Sequence, residues 1–232
     1  VSDALLTVDE LSVDPVTVAR RILGCDFVAP GEPGMDPVRL RIVEVEAYGG
    51  PATGRHPDPA AHGFGGPTPR NRVMFGRAGR LYVYRSYGIH LCLNVSAEAD
   101  GEGAAVLLRA AEVLEGEDSV VRRRSRTRSS GVSAHRLAMG PGNLGAAVAA
   151  DLADNGLDLC SPTSPLRLQR GAQLDDDAVM CGPRVGITIA TGRPWRFWIT
   201  GSPAVSAFRS GSAAVRRRRL AAGSIDAEGS DW

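Results

Sequence analysis

The stretch VEVEAY, Val43 to Tyr48, sets two glutamates two residues apart and a tyrosine two further on. Side chains at i, i+2 and i+4 of an extended strand share one face, so Glu44, Glu46 and Tyr48 are expected together, with Ile42 ahead of them. Val43, Val45 and Ala47 then point the other way. Same-face neighbours stand about 7 Å apart, which suits two kinds of chemistry. Paired carboxylates can serve as acid and base on a glycosidic bond. Alternatively, one ionised carboxylate can take a proton from water while a sugar cation develops. The apolar neighbours imply a strand covered on both faces, where an unpaired charge is costly. Each glutamate therefore needs a partner.

The partners available are arginines. All 27 basic residues are arginine and the chain has no lysine. That excludes lysine Schiff-base chemistry, pyridoxal-phosphate catalysis and the phosphate-binding lysine of a P-loop. With 26 acids the formal charge is only +1, but it is unevenly spread. No Asp or Glu occurs from Pro59 to Ala97, whereas Arg70, Arg72, Arg77, Arg80 and Arg85 do, together with Tyr82, Tyr84 and Tyr87. Arginines interleaved with aromatics suit a surface that tracks phosphates and stacks on bases. A solvated arginine face beside core tyrosines would leave the same pattern. Cys25, Cys92, Cys160 and Cys181 are far apart with no C-x-x-C pair, so reduced structural thiols are expected and no zinc site. No apolar run approaches the roughly 20 residues of a spanning helix. The first residues carry acids where a signal peptide needs basic and then apolar side chains, so a cytoplasmic protein without membrane contact is expected.

The elements that must hold these residues can be read from the same pattern. Asp14 as cap, Pro15 at the first position and Gly24 at the end delimit a helix over VTVARRILG. Arg39 to Tyr48 is expected to be the opening strand, followed by a long Gly/Pro-rich loop from Gly49 to Pro69. RLYVYRS and IHLCLNVSA flank a Tyr87-Gly88 turn and read as an antiparallel pair. Ala104 to Leu114 is apolar and ambiguous between strand and helix. Ser119 to Ser130 is either a DNA-facing basic helix or a solvated segment. Gly140 to Leu152 reads as a helix with a glycine-rich entrance whose free N–H groups could hold a phosphate. RVGITIA and WRFWIT read as two late strands. The expected fold is α+β: one domain over 1–208 with a curved, mainly antiparallel sheet flanked by helices and long loops. Residues 209–232 are expected to form a disordered Arg/Ser/Ala/Gly tail.

A glutamate strand, a histidine-bearing loop and an arginine-tyrosine hairpin together fit a pocket for a flat, electron-poor group. VEVEAYGG, AAH, TPRNRVMFG, GRLYVYRSYGIHLCLNV, VLLRAAEVLEG, GPGNL, GPRVGI and GSPAVS also occur in the order found in one family. Over roughly Asp14 to Phe208 the chain resembles the alkyladenine (3-methyladenine) DNA glycosylases. The resemblance implies that the protein flips a damaged purine (3-methyladenine, hypoxanthine or ethenoadenine class) from duplex DNA and hydrolyses its N-glycosidic bond. Glu46 matches the general base and Arg109 the arginine that helps hold the attacking water. Tyr48, His62 and Tyr84 match the walls around the flipped base, and Asn94 the residue that crowds the amine of normal guanine. Tyr87 matches the side chain that enters the helix. Arg70, Arg72 and Arg77, with Gly140 and Gly142, are expected at the DNA backbone. No cofactor and no metal are implied; a monomer acting on double-stranded DNA is expected, nucleoid-associated if bacterial.

Three positions depart from the family pattern. The Gly49 to His62 loop is longer than the common form, Gly63 stands where serine is usual, and Asn143 replaces a frequent lysine. Glu44 is expected to be a structural carboxylate satisfied by arginine or backbone donors, and Tyr82 a support for the pocket. His56, His90 and His135 receive no role. With no lysine to form a Schiff base, the resemblance implies an enzyme that leaves an intact abasic site. Two other readings compete: a DNA-damage binding module without catalysis, and a glycosidase using Glu44 and Glu46 as a pair.

Overall fold

The computed structural model describes residues 4–125, 132–171 and 173–211. Among them are nine strands: β1 (Asp26–Ala29), β2 (Val38–Tyr48), β3 (Leu81–Ser86), β4 (His90–Ala97), β5 (Ala104–Glu115), β6 (Ala138–Met139), β7 (Arg167–Gln169), β8 (Val179–Gly182) and β9 (Arg196–Ile199). All pair antiparallel in one sheet whose main path runs β3-β4-β5-β2-β1-β7. β2 is therefore not the opening strand; the shorter β1 precedes it and pairs with its first half. The segment Ala104 to Leu114, ambiguous in sequence, is a strand because the ladder of β2 runs along nearly its whole length.

The two central strands each change partner midway. β2 pairs with β1 through Val38–Arg41 and with β9 through Glu44–Glu46, on the edge opposite β5. β5 likewise pairs with β4 through Ala104–Leu107 and with β6 through Ala110–Ala111. The register breaks at the same place. Ile42 pairs with Ala111, Glu44 with Ala110 and Val45 with Leu108, so Val43 on β2 and then Arg109 on β5 are extra residues. Such bulges shift the alternation by one residue. Leu40 and Ile42 face the main core before the break, and Val45 and Ala47 face it afterwards. The simple alternation expected from sequence therefore fails at Ile42, which faces opposite to Glu44. Val43 packs instead with Ala110 and Ala204 on the other side.

The core lies on one face of this sheet. α2 (Pro15–Ile22), which follows the short α1 (Val8–Leu11), buries Val18, Ala19 and Ile22 against it. Asp14 accepts the Val16 and Thr17 amides at 3.1 and 2.9 Å, a cap worth about 1 kcal/mol. α3 (Glu117–Ser125) and α4 (Pro141–Ala147) complete the α-helices among the described residues. α4 lies against β4, and its glycines are what permit this. A Cβ on Gly145 would stand 2.4 Å from the Leu91 carbonyl oxygen, and one on Gly142 would stand 2.7 Å from the His90 ring. Among the described residues no helix is long and apolar enough to cross a membrane.

Two expectations fail in instructive ways. Two arginines of the basic run are neither DNA-facing nor solvated, although Arg122 just before them is exposed. Arg123 donates to the Ala147 and Pro30 carbonyls at 3.0 and 2.8 Å, and Arg124 bonds the Asn143 side chain. Both are buried, so α3 is pinned to α4 by its arginines; residues 126–130 of the run lie outside the described residues. RVGITIA is not a strand either. Arg184 and Val185 turn their polar groups towards β2, as described below, and Gly186 takes a left-handed φ of 76°. Of the tail, residues 212–232 lie outside the described residues.

Candidate active site

The second face of the sheet carries charge. Tyr82 pairs with Asn94, Asn94 with Leu107, Leu107 with Glu46 and Glu46 with Arg196, so one row crosses five strands. Directly paired residues share a face, which sets Glu46, Asn94 and Tyr82 on one surface. Tyr48, Tyr84 and Arg109 lie two residues along their own strands, on the same side. WRFWIT forms β9 as expected, and it borders this surface.

Glu46 is fully buried. Its Oε2 accepts the Tyr48 hydroxyl at 2.8 Å, its Oε1 accepts the Val185 amide at 2.7 Å, and Arg109 Nη1 stands 3.4 Å from Oε1. Burial and the adjacent Glu46 charge push the Tyr48 phenol well above its ordinary range, so its proton stays available for that bond. Glu44, equally buried, is far more heavily bonded. It accepts from Arg196 Nε at 2.7 Å, Arg109 Nε at 2.9 Å, and the Ser206 amide and hydroxyl at 2.7 and 2.9 Å. Burial alone would raise its pKa; Arg109 and Arg196 outweigh burial and hold the carboxyl below the ordinary range. The two bulges matter here: the extra residue of β5 is Arg109, placed to touch both glutamates. Glu44 is thus satisfied by arginines and backbone, as its sequence context led us to expect.

The aromatic half of the site is built on the loop and the hairpin. His62 makes an edge contact with Tyr84, ring centroids 4.5 Å apart, and its Nδ1 lies 3.2 Å from the Tyr82 hydroxyl. Tyr82 is buried beneath Met74 and Ala105, in the position of a support. Burial and the nearby Arg70 both lower the His62 pKa, which leaves a neutral ring near pH 7. Arg70 sits over the Tyr84 ring at 5.5 Å. Asn94 donates to the Tyr82 carbonyl at 3.1 Å. His62 is itself anchored: Asn71 donates to its carbonyl at 2.8 Å.

At the hairpin tip Tyr87 is 66% and Ile89 72% exposed, and Tyr87 holds φ at +51°. A bulky residue in that region of φ is uncommon. Arg72 is exposed, and Arg77 is half-exposed beside Asp158 at 3.5 Å. Asn143 does not hang free: it bonds Arg124 and donates to the Met139 carbonyl at 2.6 Å. His90 packs on Gly142, and His56 Nδ1 lies 2.6 Å from Glu98. All four cysteines are free thiols, and among the described residues no cluster of three or more metal-ligating side chains occurs.

A family model described as methylpurine-DNA glycosylase (MPG) matches residues 9–203. The chain belongs to that family. Similar proteins include one from Mycobacterium sp. (strain KMS), 49% identical over 205 residues, covering 88% of this chain and 94% of the relative. Another, from Mycobacterium tuberculosis (strain ATCC 25618 / H37Rv), is 49% identical over 91% of this chain and 98% of its own length. A third, from Nocardia farcinica (strain IFM 10152), is 49% identical over 93% of this chain and 100% of its own length. Each carries the name "Putative 3-methyladenine DNA glycosylase".

Several groups around the glycosylase site were not assigned from sequence. The Val185 amide reaches Glu46, Ser206 caps Glu44, and Asp58 and Arg184 form a buried pair behind Tyr48. GPRVGI and GSPAVS signalled the segments but not these contacts, since a backbone donor leaves no mark in residue type.

Proposed function

We propose that this chain is a 3-methyladenine DNA glycosylase that turns a damaged purine out of duplex DNA and hydrolyses its N-glycosidic bond with water activated by Glu46. The observation that carries this reading is the contrast between the two glutamates. Glu44 has four donors on its two oxygens, two of them from guanidinium groups, and so has little capacity left for a proton. Glu46 is oriented by one hydroxyl and one amide, with a single arginine beside it. It takes a proton from water as the water oxygen bonds to the sugar C1′, and the electron pair of the C1′–N bond leaves with the base. A cationic alkylated purine departs neutral; a neutral lesion takes up a proton as it departs. Arg109 neutralises the buried carboxylates and helps hold the water.

Flipping costs a few kcal/mol and is easiest where pairing is already damaged. Tyr48, His62 and Tyr84 repay it by stacking, about 1–3 kcal/mol per base. A neutral His62 beside two tyrosines suits a cationic purine better than an imidazolium would. Asn94 narrows the pocket against the guanine amine. Tyr87, exposed at the hairpin tip, fills the gap left in the duplex. Arg70, Arg72 and Arg77, with the amides at Gly140 and Gly142, meet the phosphates, and the partner is double-stranded DNA engaged by a monomer. No cofactor is needed. With no lysine in the chain the product is an intact abasic site. A two-carboxylate mechanism is disfavoured because Glu44 is committed to Arg109 and Arg196.

The test is release of base from synthetic duplexes carrying one 3-methyladenine, hypoxanthine or ethenoadenine, with undamaged duplex as control. Release from none of the three would sink the proposal. Glu46→Gln should slow release by about 10²–10⁴-fold while damaged DNA still binds. Strand cleavage without alkali or added endonuclease would overturn the prediction of an abasic product.

A further inference from the structure

Behind Tyr48 lies a second ion pair that the mechanism above does not use. The Arg184 side chain is wholly buried. Its Nη1 donates to the Ala47 carbonyl at 3.0 Å and to Asp58 Oδ2 at 2.5 Å, and its Nη2 donates to Asp58 Oδ1 at 2.9 Å. The guanidinium carbon stands 4.5 Å above the Tyr48 ring and 5.4 Å above the Trp195 ring. Asp58 in turn accepts the Gly49 amide at 3.1 Å and the Ala60 amide at 3.2 Å. Gly49 is the first residue after β2, and Ala60 lies two residues before His62.

One guanidinium therefore touches three parts of the site. It fixes the end of the strand that carries Glu46, covers a face of the Tyr48 ring, and holds the loop that delivers His62. It also fixes its own neighbour, because the next amide in the chain, Val185 N–H, is the 2.7 Å donor to Glu46 Oε1. The pair is a poor device for stability alone. A buried ion pair can often be replaced by apolar residues without loss, because desolvation offsets the attraction. Arg184 Nε, moreover, has no hydrogen-bond partner among the described residues. Such a group is better explained by the planar, bidentate geometry that only arginine supplies.

We infer that Arg184, held by Asp58, is a positioning residue for base excision: it sets the Val185 amide against Glu46 and the Tyr48 ring against the base. This rests on the proposed function. Neither residue touches the substrate; Arg184 acts through Val185 and Tyr48, and Asp58 acts through Arg184. Misplacing a reacting group by about 1 Å can cost about a hundredfold in rate, so the expected defect lies in the chemical step.

The experiment compares wild type with Arg184→Met, Arg184→Lys and Asp58→Asn on a duplex containing one hypoxanthine, with protein in excess. Affinity for the same duplex is measured separately. Arg184→Met should bind within about threefold of wild type yet excise about 10–100-fold more slowly, and Arg184→Lys should recover only part of that rate. Should Arg184→Met fold poorly, Asp58→Asn supplies the same reading, since the single-turnover rate constant of the folded molecules does not depend on their number. A wild-type rate constant in the folded fraction of Arg184→Met or Asp58→Asn would overturn the inference, as would a defect confined to binding. If wild type itself released no base, the functional reading would fall first and the inference with it.

Discussion

Two pairs of buried carboxylates sit in this fold under similar burial and titrate in opposite directions. Glu44 and Asp58, at the site, are held below the ordinary carboxylate range although burial alone would raise both. Asp26 and Glu98 are raised by that same burial. The difference is in the partners. Every oxygen of Glu44 and Asp58 accepts at least one hydrogen bond, and guanidinium groups lie at 2.5 to 2.9 Å. Asp26 has Arg39 at 3.5 Å and, among the described residues, an Oδ1 without a partner; Glu98 has His56 at 2.6 Å and an Oε2 without one among them. Burial sets the stakes, and arginine geometry decides the sign.

The comparison can be broken by substitution. The largest effect should come from Glu44→Gln, which leaves Arg109 and Arg196 short of a counter-charge. A loss of about 3–5 kcal/mol in chemical denaturation is expected, and a loss below about 1 kcal/mol would show that the arginines do not rely on it. Asp58→Asn should cost less, about 2 kcal/mol, because Arg184 keeps its bond to the Ala47 carbonyl. Asp26→Asn should have the reverse sign and be smaller still: neutral to stabilising by up to about 1 kcal/mol at pH 7, since it removes a penalised charge.

The pH dependence sharpens the same contrast. A carboxyl whose folded pKa is depressed adds stability above its unfolded value and loses it as pH falls through the folded value. The penalty for Glu44→Gln should therefore be full at neutral pH and shrink on acidification. A carboxyl whose folded pKa is raised destabilises the fold once it ionises, so the gain from Asp26→Asn should also fade as pH falls. In that case it fades towards the ordinary carboxylate range, because the wild-type group is then protonated in both states. Denaturation midpoints from pH 7 to pH 3 would measure both slopes. Parallel profiles for wild type and Asp26→Asn would show that Asp26 is not raised.

What could be read from the sequence was what local rules encode. Asp14-Pro15 marks a helix start within three residues, and that helix is present as expected. Glu46, Tyr48, Asn94 and Arg109 could be named from motifs, and pairing puts them on one surface. The bulges at Val43 and Arg109 could not be seen, because periodicity shows a run of alternating residues but not a slip of one within it. RVGITIA alternates like a strand, yet the bonds of Arg184 and Val185 to β2 hold it in another shape. Asp58 and Arg184 are 126 residues apart, and nothing local to either announces the other. The arginines of Ser119 to Ser130 misled for a related reason: charge was read as exposure, whereas Arg123 spends its donors on carbonyls of α4 and of Pro30.

The slip at Val43 also fixes what the family can vary. It works as a phase adjuster between the two halves of β2, since residues on either side face the core on alternate parity. Deleting Val43 itself would set Ile42 next to Glu44 in simple alternation, so Leu40 and Ile42 would keep the core and both glutamates the other face; what is lost is the packing of Val43 on Ala110 and Ala204. A deletion from Val45 to Ala47 has no such outlet, and would turn a glutamate or Tyr48 towards the core. Length changes should therefore be tolerated at Val43 and in the Gly49 to Pro69 loop, and be all but absent between them.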